Sequence, residues 1–325
     1  MPISERDPWR MQYFEGAACP AEVLIPTDDG DAYAWYPRHR WIYNKLLIAE
    51  SQGLPCGPHG LEPPAFPVFS KPIYNMRGMG AGGRVFASLK DYRAQQQPGY
   101  MWMQYLEGEH VSSDAAVVDG APRWWRHAIG KGIGGGMFDH WVVLAEPRPA
   151  IEDYCGEWLC RNLAGYTGIV NFETIGARII EAHLRLTDQW PDLYGAPWLE
   201  AVIRLYRDGV WSFDDRQRRE GYSVVLFGAH GVRYRHPPQE LVDELRRALG
   251  VTSIQITFHE DWTLGAHSMP PGGFRLAIVN GWSLEAGIAA RERLALSFWS
   301  TQQLSPRRGG RRNGAGARPN DRPRP

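Results

Sequence analysis

Acidic side chains lie on two neighbouring predicted strands in residues 168–186, GIVNFETIGARIIEAHLRL, which are joined by a tight turn at a glycine. Because side chains alternate along a strand, Glu181, His183 and Arg185 share one face, and the turn brings Glu173 towards it. Two carboxylates on one face of a buried hairpin repel each other unless a cation neutralises them. Magnesium takes one or two carboxylates together with phosphate oxygens, so the pattern predicts a metal site at Glu173 and Glu181.

Arg185 adds a group suited to a transferring phosphate, because a guanidinium forms paired hydrogen bonds with phosphate oxygens. The alternative is a solvent-facing strand pair in which Arg178 and Arg185 form salt bridges with the glutamates, since one face of an antiparallel sheet is commonly polar. The residues of the hairpin leave both interpretations open.

A glycine-rich loop follows Lys71, which lies near the end of a predicted strand over 68–73 in the segment VFSKPIYNMRGMGAGG. Such a loop lets successive backbone N–H groups surround phosphate oxygens, and Lys71 adds a point positive charge. The glycines concerned are Gly78, Gly80, Gly82 and Gly83. The GK[ST] ending of a P-loop is missing, and a plain turn is the alternative.

A third segment, WMQYLEGEHVSSD (102–114), is an apolar strand that ends in a polar turn. The backbone of Gln104, Tyr105 and Leu106 offers pairing groups to a base such as adenine where the strand leaves the sheet. Glu109 or His110 offers polar groups to ribose hydroxyls. An ordinary strand with a polar turn is the alternative.

These segments, in this order, resemble the ATP-grasp superfamily of carboxylate–amine ligases. FPVFSKP is similar to the family's lysine strand, MQYLEGEHVSSD to its hinge, and GIVNFE followed by RIIEAHLR to its metal-binding strands. NKLLIAESQGLPCGP is similar to the helix that precedes the glycine loop in the family. The resemblance covers about residues 43–190, and the region before it is shorter than the family's N-terminal domain.

The resemblance implies ATP as nucleotide and magnesium as metal. It implies catalytic or phosphate-contacting roles for Lys71, Arg185 and Arg126, the last beside a substrate loop at 131–136. The implied nucleotide contacts are Lys71, Gly78, Gly80, Gly82, Gly83, Gln104, Tyr105, Leu106, Glu109 and His110. The implied metal ligands are Glu173, Glu181 and His183. His183 stands where the family usually has asparagine, and an imidazole ligand makes manganese the alternative metal.

The alternation of strands and helices along the chain predicts an α/β (α+β) fold. With the resemblance, this becomes an ATP-grasp fold with a glycine-loop subdomain, an antiparallel core sheet that carries the metal site, and a small C-terminal α/β extension. The predicted divisions are a reduced N-terminal region (1–66), an ATP-grasp domain (67–209), a C-terminal α/β region (210–303) and an Arg/Gly/Pro-rich disordered tail (304–325).

Charge is unevenly distributed over the 325 residues, although the formal net charge is zero. The stretch SPRRGGRRNGAGARPNDRPRP holds seven arginines and one aspartate, a mixture that cannot bury enough apolar surface to fold. It suits either a polyanion-binding arm or a solubilising terminus, and the lack of interleaved aromatic residues favours the second. No membrane-length apolar run, signal peptide or zinc-type cysteine spacing is present, so we expect a cytoplasmic protein.

The residues and the resemblance together predict a ligase that activates a carboxylate as an acyl phosphate and joins it to an amine or similar nucleophile. Its expected partners are small-molecule carboxylate and amine substrates or a peptide, and the resemblance suggests a homodimer. Two alternatives remain: a non-catalytic nucleotide-binding protein on the same fold, and a nucleic-acid-binding module that uses the arginine tail.

Overall fold

The computed structural model of the chain describes residues 3, 5, 7–14, 17–76, 80–195, 197–262 and 270–303. Gly78 and the predicted tail at 304–325 lie outside the described residues. In the part that is described, no helix is long and apolar enough to cross a membrane.

Helices and strands alternate along the described chain, as the sequence predicts. The α-helices are α1 (Pro8–Met11), α2 (Asp29–Trp35), α3 (Lys45–Ser51), α4 (Leu89–Ala94), α5 (Pro149–Asn162), α6 (Pro197–Asp208), α7 (Gln239–Leu249) and α8 (Leu284–Gln303), with 3₁₀ turns at Arg40–Tyr43 and Pro191–Tyr194. The strands are β1 (Cys56–Pro58), β2 (Val68–Pro72), β3 (Arg84–Phe86), β4 (Tyr100–Gln104), β5 (His110–Val118), β6 (Ala121–Gly134), β7 (Met137–Val143), β8 (Gly168–Ile175), β9 (Arg178–His183), β10 (Gly221–Gly228), β11 (Ser253–Ile256) and β12 (Phe274–Gly281).

Two antiparallel sheets organise the molecule. The small one has the strand order β1-β4-β2-β3 and carries Lys71 and the glycine loop. The large one has the order β11-β12-β10-β7-β6-β5-β8-β9. The C-terminal strands β10, β11 and β12 extend the core sheet through the pairing of β10 with β7.

Hydrophobic packing holds helices on the large sheet. One apolar face of α5 places Ile151, Cys155 and Trp158 in a buried cluster with Phe172 of β8. Burial raises the pKa of the Cys155 thiol to about 12, so this cysteine behaves as a small hydrophobe.

The start of α3 is fixed by a side-chain cap. Asn44 Oδ1 accepts hydrogen bonds from the backbone N–H groups of Leu46 and Leu47 at 3.0 and 3.2 Å. The cap sets where the helix begins, and Lys45, its first residue, is buried with only 6% of its surface exposed. A lysine in that position needs a carboxylate partner.

Tight turns shape the hairpins that carry polar residues. In the β8–β9 turn Gly176 and Ala177 both have positive φ angles, 55° and 60°. Positive φ at both central residues is typical of two-residue hairpin turns whose backbone twist matches the twist of the flanking strands. The turn also lies directly against the loop after β4. A β-carbon on Gly108 of that loop would lie only 2.9 Å from the Gly176 Cα atom. The two glycines therefore allow backbone-to-backbone contact between the hairpin and the connection to the small sheet.

This contact predicts unequal costs for two Gly→Ala substitutions. At Gly53, φ is +68° and a β-carbon would meet no described atom within 4 Å, so Gly53→Ala should cost about 1 kcal/mol for the backbone conformation alone. At Gly176 the β-carbon would also overlap the Glu107 carbonyl oxygen, so Gly176→Ala should cost about 2 kcal/mol or more. Urea unfolding of both variants measures the difference; equal costs would contradict the close packing.

Candidate active site

The β8–β9 hairpin places two carboxylates opposite each other. Glu173 and Glu181 are cross-strand partners in the register of the two strands, on the face that the alternation predicts. Both line a cavity of about 600 Å³ that lies between the small and the large sheet. His183 and Arg185 line the same cavity, so the hairpin brings together the four polar residues singled out in its sequence.

Each carboxylate has a cationic partner in the protein. Lys45 Nζ lies 2.8 Å from Glu181 Oε1, and His110 Nε2 lies 3.3 Å from Glu173 Oε2. Burial raises the pKa of Glu173, but the hydrogen bond and charge of His110 outweigh burial and lower it. Burial likewise lowers the pKa of His110, and Glu173 overcomes that effect and raises it. The salt bridges from Arg178 and Arg185 to the glutamates, which the alternative interpretation requires, do not form among the described residues.

Lys71 lies beside this pair at the end of β2. Its ammonium group donates a hydrogen bond to the Ile180 carbonyl oxygen at 2.7 Å and is almost completely buried. Burial and the nearby charge of Lys45 lower the pKa of Lys71 to about 8, although Glu181 and Glu173 oppose the shift. The cavity therefore holds two lysine ammonium groups close to two carboxylates.

Asp29 joins His183 and Arg185. Its Oδ1 atom lies 3.0 Å from His183 Nδ1 and 3.0 Å from Arg185 Nε. An ionised carboxylate can only accept, so His183 Nδ1 carries a proton towards Asp29, and the Nε2 atom of the same ring lies 3.8 Å from Glu181 Oε1. Burial raises the pKa of Asp29, but the charges of Arg185 and His183 prevail and hold it well below the usual range.

Sequence reasoning missed both Asp29 and Lys45. Lys45 falls in the segment that resembles the family's pre-loop helix, so that resemblance was an available signal. The sequence signal at Asp29 was weaker. Asp29 follows the capping residue Asp28, whose side chain accepts a hydrogen bond from the Asp31 backbone N–H. Acidic residues are common at the start of a helix because they interact favourably with its dipole, so an aspartate there does not by itself indicate a functional site.

Of the predicted glycines, Gly80 and Gly83 line the cavity, and Gly78 lies outside the described residues. Gly82 has a φ angle of +75°, and a β-carbon there would approach the Tyr100 hydroxyl to 2.5 Å. The loop after Lys71 therefore depends on glycine for its conformation.

The predicted hinge lies away from this cavity. Gln104, Tyr105 and Leu106 line a second, more open pocket together with Leu54, Pro67, Glu107 and Arg178. Glu109 pairs with Arg148 at 3.3 Å and does not line the main cavity, whereas His110 does. The structure thus brings His110, but not the hinge residues or Glu109, to the carboxylate pair.

Arg126, for which the resemblance implies a role beside the substrate loop, does not line the cavity. Its Nη2 atom donates to the Arg219 carbonyl oxygen at 2.6 Å, and Nη1 lies 3.6 Å from Asp215. The guanidinium packs over the Tyr194 ring and is 1% exposed. In this position the side chain holds the segment 215–219 against the sheet.

The side chains that could bind a metal here suit an ion whose remaining ligands come from a bound phosphate group. Among the described residues, no three or more His, Cys, Asp or Glu side chains are already arranged around one point for a metal ion. Glu173 and Glu181 nevertheless supply the two carboxylates that magnesium uses when phosphate oxygens complete its shell. His183 Nε2 is the third protein donor that faces them.

The sequence matches no protein-family model and none of the curated proteins. Solved structures do match. An L-amino acid ligase from Bacillus licheniformis has a TM-score of 0.58 and 12% identity, over 89% of this chain and 82% of that chain. Phosphoribosylamine–glycine ligase from Thermotoga maritima has a TM-score of 0.56 and 14% identity, over 86% and 84%. N5-carboxyaminoimidazole synthase from Aspergillus clavatus, solved with ADP and 5-aminoimidazole ribonucleotide, has a TM-score of 0.56 and 12% identity, over 86% and 82%. The chain has the ATP-grasp fold that these enzymes share.

The contacts of Asp29 predict a large loss of stability from a substitution that removes only the charge of its side chain. Asp29→Asn should destabilise the protein by about 3 to 5 kcal/mol, because it leaves the largely buried Arg185 guanidinium without its carboxylate. The neighbouring Asp28→Asn is the matched control, since asparagine caps a helix as well as aspartate does. Urea unfolding measures both, and Arg185→Met in the Asp29→Asn background should recover most of the loss; a small effect of Asp29→Asn alone would contradict the buried pair.

Proposed function

We propose that the chain is an ATP-dependent ligase that activates a carboxylate as an acyl phosphate and joins it to an amine or similar nucleophile. The observation that carries the proposal is the cavity wall where Glu173 and Glu181 face each other beside Lys71 and Lys45. Two partly buried carboxylates next to two ammonium groups form a polar site that suits a metal-bound polyphosphate. The named ligases among the structural neighbours, and the synthase solved with ADP, support this interpretation.

The nucleotide's phosphates would lie between the small-sheet lysine and the hairpin. Lys71 and Lys45 supply positive charge, and Gly80 and Gly83 allow the loop backbone to approach. Glu173 and Glu181 would hold magnesium, or manganese if His183 Nε2 also binds it. That metal would neutralise charge on the phosphate oxygens.

The remaining residues would position the reacting groups. A carboxylate oxygen attacks the γ-phosphorus atom and ADP leaves; the nucleophile's nitrogen then attacks the acyl carbon, phosphate leaves, and the nitrogen loses a proton. Arg185, which Asp29 holds at the cavity wall, would contact the transferring phosphoryl group. The rings of Phe138, Trp141 and His110 form an aromatic wall beside Glu173 that helps to exclude water from the acyl phosphate.

Calorimetry with ADP tests the site directly. Lys71→Ala should weaken binding about tenfold or more, because it removes a buried cation that faces phosphate oxygens. Glu181→Gln should remove most of the gain in affinity that magnesium gives to the wild type. Glu62→Gln, which alters an exposed pair with Arg93, is the control and should leave both quantities unchanged.

Turnover separates the ligase from its alternative. Release of phosphate from ATP in the presence of an acid and amine pair supports catalysis. Nucleotide binding without turnover for any pair supports a non-catalytic nucleotide-binding protein. Unchanged ADP binding in both Lys71→Ala and Glu181→Gln would remove the nucleotide site from this cavity.

Nucleotide affinity should also depend on pH through Lys71. The pKa of Lys71 in the free protein is about 8, and bound phosphate raises it, so affinity is highest when Lys71 is protonated and falls as the pH rises above 8. We expect a loss of about tenfold between pH 7 and pH 9. Lys71→Arg should flatten the profile, since arginine stays charged in this range. A wild-type profile as flat as that of Lys71→Arg would contradict the lowered pKa.

A further inference from the structure

The main cavity continues beyond the proposed phosphate site to a second end, which we call the distal end. Past Arg185, the chain after β9 lines it with Asp188 and Trp190. Arg10 of α1 comes from one side, and Arg275 of β12 from the other. The distal end is therefore assembled from the N-terminal segment, the hairpin's continuation and the C-terminal strands.

Arg10 is fully engaged by the protein. It pairs with Glu5 at 2.9 Å and with Asp188 at 2.9 Å, and also with Asp7. Burial lowers its pKa, but the three carboxylates outweigh burial and raise it. Arg10 thus serves to hold carboxylates in place and has little charge to offer a ligand.

Arg275 is held much more loosely. Its two polar side-chain contacts with the described residues are long, 3.4 Å to Gln189 Oε1 and 3.5 Å to Asp188 Oδ2. Both exceed the usual range for a charge-assisted hydrogen bond, and a guanidinium has five donors. About 20% of the Arg275 side chain is exposed, and it faces the cavity. It is therefore well placed to bind an external carboxylate in a fork geometry.

The charges around Arg275 also favour a cation. At the distal end the carboxylates of Glu5, Asp7 and Asp188 outnumber the guanidinium groups of Arg10 and Arg275 by one. A ligand that brings both a carboxylate and an ammonium group adds no net charge, pairs its carboxylate with Arg275 and offers its ammonium group to the carboxylates in excess. Asp7 and Asp188, 29% and 28% exposed, are the acidic groups that such an ammonium group can reach.

An apolar wall adjoins these charges. Phe227 and Val225 of β10 line the distal end, and Trp190 packs against Trp141 with ring centroids 5.2 Å apart. Walls of this kind with a few polar groups are typical of sites for small organic ligands. The wall suits an aliphatic or aromatic side chain and gives no partner to a charged one.

We propose that the distal end binds an α-amino acid with an apolar side chain as the amine substrate of the ligase. Its carboxylate binds Arg275, its ammonium group lies near Asp7 and Asp188, and its side chain packs on Phe227 and Trp190. This inference rests on the proposed function, because it names the substrate class of the same cavity.

Calorimetry on the full chain with saturating ADP and magnesium tests the ligand class. L-phenylalanine and L-leucine should bind, and L-aspartate should not. Phenethylamine lacks the carboxylate and 3-phenylpropionate lacks the ammonium group, so each should bind about tenfold or more weakly than L-phenylalanine. Equal binding of 3-phenylpropionate would overturn the proposal in favour of a simple acid, and binding by none of these compounds would overturn it outright.

Two variants locate the binding. Arg275→Gln should weaken L-phenylalanine binding by about ten- to a hundredfold, whereas Arg216→Gln, at an exposed arginine paired with Asp214, should leave it unchanged. Phe227→Ala should weaken L-phenylalanine more than L-alanine, a selectivity change that loss of folding would not produce. L-phenylalanine affinity that is unaltered in Arg275→Gln, or equal losses for both amino acids in Phe227→Ala, would overturn the assignment.

The same titrations separate this inference from the proposed function. ADP binding without amino acid binding would overturn the distal-end proposal and leave the nucleotide site standing. Amino acid binding that follows these variants, in a protein that binds no ADP, would support the distal site and remove the ligase. Loss of both would overturn both.

Discussion

Two like charges held opposite each other on one hairpin are the constraint on which the rest of this structure depends. Glu173 and Glu181 are direct cross-strand partners and both are partly removed from water, an arrangement that is unfavourable without compensating cations. The cations come from elsewhere in the chain: Lys45 from the start of α3 and His110 from the start of β5. Lys71 adds a third positive group from the small sheet. The helix cap, the loop after β4 and the packing of the small sheet against the hairpin all serve to bring these groups together.

Local patterns predicted much of the architecture because the physics behind them is local. Alternation of side chains placed Glu173, Glu181 and His183 on one face, and glycines at the turns indicated the hairpins. The contacts of Asp29 with His183 and of Lys45 with Glu181 could not be derived this way, since each joins residues more than a hundred positions apart. Their existence depends on how the N-terminal segment packs, which no short-range pattern encodes.

Arg126 shows a different limit. It pairs with Asp114 in the β5–β6 register, two positions along β5 from Ser112, which lines the cavity. Arg126 therefore lies on the cavity face of the sheet, as its sequence position suggested. That part of the face is covered by Tyr194 and by the segment around Asp215. Periodicity fixes the face of a strand to which a side chain points, but not what other part of the chain covers that face.

The cavity draws its walls from nearly the whole length of the described chain. Asn280 donates a hydrogen bond to the Tyr13 hydroxyl across 267 residues, in the same region where Arg10 and Arg275 share Asp188. On the ribosome, the first of these residues emerges long before the last, and at ordinary elongation rates the interval is on the order of tens of seconds. Until β12 has been made, the charged groups of the N-terminal segment lack their full set of partners. The nascent chain must therefore spend that time without a closed pocket, and its ability to capture small molecules would arise abruptly, once β12 has emerged and paired.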